Sequence, residues 1–333
     1  MEALLALLDA LLDPFVDPGS RTFVPLLLGS LVVVGGLAMA GSRGARATLS
    51  AFATRSSRLD VQLLLARQLL RALGALPGLV SALWLASWVV ALLDRLGTPE
   101  ISLPSPVVTL LYSVVLFVVW DASRYAVHRL MHEIPALWAF HQVHHSAEAL
   151  TPLTFHRVHP VESVLYQVRG ALVTGLVAGV FFWLFRGSAQ PAELFGVHAI
   201  GFVLNAVSGN LRHSHVWWSF GAAERWLVSP AQHQLHHGLG RDRSNYGTWL
   251  ALWDRLGGSL ELAESPPERF GIADDARNHG DDLVSAWLGP LADLASLSGR
   301  RTRPAREPES PAAPGSARAA PGGGSPATAA PRR

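Results

Sequence analysis

The sequence predicts an all-α integral membrane bundle of four to five membrane segments, with a helical cap that holds a histidine-rich site for two metals. Three observations predict it. Half of the 333 residues are hydrophobic and only 16% are charged, against about 25% charged in soluble domains. The apolar residues gather in runs long enough to be helices. The pentad HQVHH at 141–145 returns as HQLHH at 233–237, and on an α-helix the offsets i, i+3 and i+4 share one face, so each pentad aims three imidazoles at one spot. With 14 His in the chain, one such pattern is expected by chance only about 0.02 times.

Residues 1–22 are weakly amphipathic and acidic, with Glu2, Asp9, Asp13 and Asp17, and an apolar run follows at 23–41. A secretory signal wants a basic start, so this run reads as a retained membrane helix. A second span is LPGLVSALWLASWVVALL at 76–93. The runs at 106–120, 170–185 and 194–208 hold about 15–16 apolar residues each, short of the ~20 that cross a bilayer. They suffice if each helix continues out of the lipid into a polar cap. The stretch after Trp120, DASRYAVHRLMHE, keeps a helical period while turning polar. Residues 1–105 therefore read as an N-terminal membrane region with two membrane helices, and 106–300 as the histidine-bearing domain. From 301 to 333 the chain is Pro, Ala, Gly and Ser without apolar periodicity, which buries too little surface to offset the entropy of ordering and reads as a disordered tail.

The connection between the first two spans carries Arg43, Arg46, Arg55, Arg58, Arg67 and Arg71 against Asp60, whereas the next carries Asp94, Arg95 and Glu100. The former belongs in the cytoplasm. Counting crossings places 121–165 and 209–300 on the same side, so both pentads share the cytoplasmic compartment.

Composition also excludes chemistry. A net charge of +2, with no basic stripe interleaved with aromatics, argues against a nucleic-acid partner. The absence of Cys removes disulfides, thiolate metal sites, iron–sulfur clusters and Cys nucleophiles. Any metal is held by His, Asp, Glu or amides.

Beyond the pentads, HRLMH puts His128 and His132 at i and i+4, and LRHSHVWW supplies His213 and His215. His128, His132, His141, His144, His145, His213, His233, His236 and His237 make nine candidate ligands. One structural zinc uses about four, so nine is the supply for two metals. Imidazole suits Fe, Zn, Cu or Ni, and geometry selects among them.

The order H-x3-H, H-x2-HH, a single His and H-x2-HH, together with DASRYAVHRLMHE, WAFHQVHHS, RVHPVE and NYGTWLALWDRLGG, resembles the fatty acid hydroxylase/sterol desaturase superfamily of membrane non-haem di-iron enzymes, over about residues 115–260. The resemblance implies two Fe ions at the cytoplasmic membrane face, O2 as co-substrate, and hydroxylation or desaturation of a lipid C–H bond. It makes the eight histidines of the three boxes iron ligands and His213 the single ligand between boxes. His215 falls where relatives often have Asn; an extra metal ligand, a partner of a ligand and neither all stay open. His159, in RVHP, is read as orienting a ligand or positioning the cap. Asp121, two turns before His128, either holds the ring N–H of a ligand imidazole or is a helix-end charge. Asn245 and Asp254 read as structural parts of the closing segment, and His156, His198 and His279 as structural.

No haem motif or dinucleotide fingerprint is present, so electrons come from a separate ferredoxin-like or cytochrome-type donor. The expected partners are thus a lipid substrate, the bilayer and that donor, in a bacterial inner membrane. Three alternatives compete. Desaturation or ether cleavage on the same scaffold is one. A zinc-dependent membrane hydrolase is another, but it wants a general base such as the Glu of H-E-x-x-H, which neither pentad contains. A metal transporter, the third, would place ionisable residues at mid-membrane, whereas these histidines lie outside the apolar runs.

Overall fold

The computed structural model describes residues 2–18, 20, 23–72, 81–99, 101–186, 193–194, 197–272, 279–280 and 282–300; the tail at 301–333 lies outside them. The architecture is all-α. The α-helices are α1 (Glu2–Val16), α2 (Val24–Met39), α3 (Arg43–Ala51), α4 (Arg55–Ala72), α5 (Ala82–Leu93), α6 (Ser105–Glu133), α7 (Pro135–His145), α8 (Pro160–Phe185), α9 (Ala199–Leu204), α10 (Pro230–His236), α11 (Leu252–Gly257) and α12 (Leu283–Arg300). One two-residue antiparallel ladder pairs Glu193–Leu194 with Val197–His198.

Helix α6 runs unbroken through Trp120 into DASRYAVHRLMHE. At 1.5 Å per residue its 29 residues span about 43 Å, enough to cross ~30 Å of hydrocarbon and leave the last turns for His128 and His132. Both α6 and α8 are long and apolar enough to cross a membrane. Their outward faces stay apolar: Val107, Leu110, Leu111 and Val114 of α6 and Leu172, Leu176 and Val180 of α8 are exposed. Contiguous apolar surface of this extent belongs against hydrocarbon rather than water.

The inward faces build the core, with Val108, Tyr112 and Leu116 of α6 packed on Val173, Val177 and Phe181 of α8 and on Ala86 of α5. Gly175 and Gly179 let α5 approach α8 closely, because a Cβ at Gly179 would lie 2.6 Å from the Val89 Cβ and one at Gly175 2.8 Å from that of Leu85. Small residues four apart are the usual device for close helix contact in lipid.

The other predicted spans are shorter as helices. The run at 23–41 forms α2, and 76–93 is helical from Ala82 in its described part. The run at 194–208 does not form a spanning helix. Its start is drawn into the two-residue ladder and its end opens into a π turn at Asn205–Gly209, and Val203 and Val207 stay exposed. His198 there donates from Nε2 to the Ser113 carbonyl at 3.0 Å, as an interior structural histidine should.

On the polar side, α1 lies on α4, and α4 reaches the first pentad through a buried pair: Arg157 Nη1 donates to Asp60 Oδ1 at 3.0 Å. The same guanidinium donates from Nε to the Val143 carbonyl at 3.0 Å and from Nη2 to the Ser146 hydroxyl at 2.9 Å, pinning the end of α7.

Candidate metal centre

Three local devices position the histidines. At the end of α6, Ile134 caps both that helix and the next, and Pro135 opens α7, since a proline is tolerated at a first helical position but cannot continue the previous helix. The chain turns there and brings HQVHH back beside HRLMH. Helix α10 is only seven residues long and is held by its start: the Ser229 hydroxyl accepts from Gln232 N, the Gln232 side chain answers to Ser229 N, and Pro230 sits at the first position, a reciprocal capping box. Buried Glu224 fixes that cap by accepting from the Ser229 hydroxyl at 2.7 Å. His213 comes from the loop that follows the π turn.

The fold gathers all nine predicted ligands into two groups. His128, His132, His141, His145 and His236 form one, and His144, His213, His233 and His237 the other; within each, the ligating nitrogens lie within 4.8 Å of one another and every residue is buried. Each pentad is split, sending His141 and His145 to the first group and His144 to the second, and His236 and His233/His237 likewise. The adjacent pairs therefore bridge the two groups.

The ring tautomers follow from the outer partners. His128 Nδ1 is 2.7 Å from the Tyr246 carbonyl and His236 Nδ1 is 2.7 Å from that of Ser244. Only an N–H pairs with a carbonyl oxygen, so both rings carry the proton on Nδ1 and leave Nε2 as a lone pair. Those two Nε2 atoms are 3.1 Å apart. In the second group, His213 Nε2 lies 3.1 Å from His233 Nε2, 3.2 Å from His237 Nε2 and 3.4 Å from His144 Nε2. Protonating the rings does not relieve this crowding, because burial pushes His144, His145, His233 and His237 well below their usual value and His236 down to about 3. Neutral lone pairs converging without protons are what bound transition-metal ions require of imidazole ligands. The residues present fit two such ions.

Other predicted residues fall elsewhere. Asp121 meets no imidazole: its carboxylate accepts from Trp249 N at 3.1 Å, Leu250 N at 3.0 Å and the Trp253 indole at 2.9 Å. A buried carboxylate at this point of α6 is nearer to the unpaired amides of the closing segment than to His128, so it docks that segment. His159 touches no ligand either. Its Nδ1 accepts from Val161 N at 3.1 Å and caps α8, and its Nε2 donates to the Trp287 carbonyl at 3.0 Å; this is the cap-positioning half of the expectation. His215 stands outside both groups, with Nε2 accepting from Leu150 N at 3.2 Å. His156 sits against Arg67 Nη2 at 2.7 Å and His279 against Asp293 Oδ2 at 2.7 Å.

Sequence reasoning missed Glu162. Its Oε1 is 3.1 Å from His141 Nδ1, both side chains are buried, and it lies in the RVHPVE stretch one turn past the capping His159. A carboxylate facing the outer nitrogen of an imidazole fixes the orientation of the ring. Asn245 and Asp254 are structural as expected. Asn245 takes a left-handed conformation (φ 55°) and bridges the Gln232 carbonyl to Glu261 N, while Asp254 accepts from Tyr246 N at 2.8 Å and Gly247 N at 2.7 Å. Together they hold the turn whose Ser244 and Tyr246 carbonyls orient His236 and His128.

A cavity of about 570 Å³ opens onto His128, His144, His213 and His233. A second, of about 370 Å³, is lined by Leu116, Phe117, Phe202 and Trp249 on the membrane side. Trp120, Arg124, Phe155 and Thr248 line both.

An all-helical scaffold with two long apolar helices, a capped polar end and two adjoining clusters of buried imidazoles defines a membrane-associated histidine-cluster metalloprotein. Residues 113–259, which contain all nine histidines, match the fatty acid hydroxylase family model. The chain is 28% identical over 202 residues to the ornithine lipid hydroxylase of Rhizobium tropici, covering 60% of this chain and 55% of the relative. It is 30% identical over 158 residues to human alkylglycerol monooxygenase, covering 46% and 31%, and 25% identical over 197 residues to a very-long-chain aldehyde decarbonylase of Oryza sativa, covering 56% and 70%. The chain thus spans about half of the first relative and a third of the second. No solved structure matches it significantly.

Proposed function

We propose that this chain is a membrane-bound lipid oxygenase: the nine histidines hold two Fe ions, and O2 is used to hydroxylate or desaturate a C–H bond of a lipid. The observation that carries the reading is the convergence of buried imidazole nitrogens in two adjoining groups, beside a cavity that shares part of its lining with an apolar one. Two Fe ions bound there supply the redox chemistry with O2. The ligands by residue are His128, His132, His141, His145 and His236 for one ion and His144, His213, His233 and His237 for the other.

The chain's own contribution is placement. The Tyr246 and Ser244 carbonyls and Glu162 meet three of the imidazoles from behind, which orients those rings toward the site. Burial of all nine rings keeps bulk water from the site. The apolar cavity takes an alkyl chain alongside α6. Electrons arrive from a separate ferredoxin-like or cytochrome-type donor on the cytoplasmic face of a bacterial inner membrane, the side to which the Arg-rich connection assigns the pentads. The relatives' names, a lipid hydroxylase and an alkylglycerol monooxygenase, agree with this class of substrate.

The deciding experiment is metal content per chain of detergent-purified protein from iron-replete cells, beside the double variant His144→Ala/His236→Ala. About two irons, lost in the variant, with lipid products that incorporate labelled O2, are the expected result. One metal or none in both samples overturns the di-iron reading, and two zinc ions without oxidised product favour the hydrolase.

A further inference from the structure

The wall of the larger cavity is cationic. Five arginines, Arg67, Arg71, Arg124, Arg169 and Arg212, line it against one carboxylate, Glu162, and that carboxylate faces His141. Arg71 is half exposed and paired with Asp13. The others have no carboxylate within ion-pair distance among the described residues.

Arg212 is the sharpest case. It is 1% exposed, it neighbours the ligand His213, and its Nε and Nη2 have no hydrogen-bond partner. Its guanidinium rests 3.9 Å over the Trp249 ring, which holds a cation in place without neutralising it. Asp121, on the same side, is committed to the amides of Trp249 and Leu250 and to the Trp253 indole. Arg169 repeats the pattern: Nη1 is used on the Trp120 carbonyl and the Ser123 hydroxyl, Nε is buried without a partner, and the Trp120 ring lies 4.4 Å away. Arg124 stands over Tyr166 at 4.7 Å and donates from Nε to the Thr248 hydroxyl at 2.9 Å. Arg67 has a buried Nε without a partner.

Burying a guanidinium with unmade hydrogen bonds costs several kcal/mol unless an anion completes it. Several in one cavity wall describe a receptor for a phosphate or carboxylate, which planar guanidinium forks bind through two parallel bonds. Arg124 comes just after the apolar half of α6 and Arg169 just before that of α8, so both stand at the polar ends of these helices, where lipid headgroups would meet them. Trp120, Arg124, Phe155 and Thr248 line both this cavity and the apolar one, so a site for a charged head and a site for an alkyl tail adjoin across these four residues.

We propose, resting on the oxygenase reading above, that the lipid taken by this site carries an anionic phosphate or carboxylate head held by Arg212, Arg169 and Arg124, so that the carbon oxidised lies close to that head rather than far along the chain. The basis is that one cavity is lined by both the arginines and His128, His144, His213 and His233.

The test is ligand binding to the full chain in neutral detergent after iron loading, read by quenching of tryptophan fluorescence, since Trp120 and Trp249 line the cavities. Hexadecyl phosphate, palmitate, hexadecanol and inorganic phosphate are compared. The expected result is that hexadecyl phosphate and palmitate bind at least about tenfold more tightly than hexadecanol. Arg212→Met and Arg169→Met each remove most of that preference and leave hexadecanol binding and iron content unchanged, while Arg212→Lys keeps part of it. Equal binding of charged and neutral ligands by the unaltered chain overturns the proposal. So does inorganic phosphate binding as tightly as hexadecyl phosphate, which would make this a free-anion site, and so does a parallel loss of hexadecanol binding in both Met variants. A chain that retains the head preference but holds no iron supports this proposal and counts against the oxygenase reading alone.

Discussion

The Nε2 atoms of His128 and His236 stand 3.1 Å apart while each ring gives its Nδ1 proton to a main-chain carbonyl, that of Tyr246 and that of Ser244. Two lone pairs in that position repel unless a cation lies between them. Metal binding to the native state alone therefore stabilises it through mass action. Chelation of the purified protein should lower its Tm by at least about 5 °C, and Fe(II) added back should restore it. A Tm indifferent to chelator, with metal loss verified, would show that the histidine cluster is stable empty and that this argument is wrong.

The pair Arg157–Asp60 makes a second prediction. Both side chains are essentially without solvent contact, and Thr154 donates its hydroxyl to the other carboxylate oxygen at 2.8 Å. Removing one partner of such a pair strands the other charge and costs roughly 3–5 kcal/mol. Asp60→Leu and Arg157→Met should each be strongly destabilising, while the double variant should be closer to the parent than either. Thermal unfolding of all four proteins checks this; additive losses would mean that the two groups act independently.

The histidine clusters were legible in the sequence because helical spacing fixes which side chains share a face, and α6, α7 and α10 are helical where the spacing demands it. Continuation of α6 past Trp120 was legible for the same reason. Partners supplied by distant segments were not. Glu162 reaches His141 across a helix start, and Asp60 reaches Arg157 across 97 positions; no local period announces either. Asp121 shows the limit from the other side. Its spacing from His128 is right for a shared face, yet the amides of Trp249 and Leu250 take its carboxylate. Apolar content misled at 194–208, where composition matched a span but the backbone opens at Asn205.

Asp254 carries a pH dependence. Burial outweighs its hydrogen bonds from Ser259, Gly247 and Tyr246 and raises its carboxyl to about 6 from the ordinary 3.8. The folded chain then binds more protons than the unfolded one between those values, so stability falls as pH rises from about 4 to about 6, by on the order of 2 kcal/mol. Asp254→Asn should flatten this part of the stability curve. It should also loosen the turn that orients His128 and His236, because the amide cannot accept from both Tyr246 N and Gly247 N as the carboxylate does. Unfolding midpoints at pH 4.5 and 6.5 for parent and variant measure the first effect, and iron affinity the second. An unchanged slope would place the titration elsewhere.

His213 and His215 sit two residues apart, and the structure assigns them opposite fates. His213 Nε2 is surrounded by the Nε2 atoms of His144, His233 and His237 at 3.1–3.4 Å, whereas His215 accepts from Leu150 N and lies edge-on to Phe270. His213→Ala should therefore cost about one metal per chain, from the four-histidine group, and leave the five-histidine group loaded. His215→Ala should keep the full complement and lose only a half-buried acceptor, about 1 kcal/mol of stability. His279→Ala breaks a pair with Asp293, whose same oxygen still accepts from Gln142 Nε2, and should likewise keep its metal. Elemental analysis of the three variants decides the matter. Metal loss in His215→Ala comparable to that in His213→Ala would make His215 a tenth ligand. That result would require the Leu150 contact to give way when metal binds.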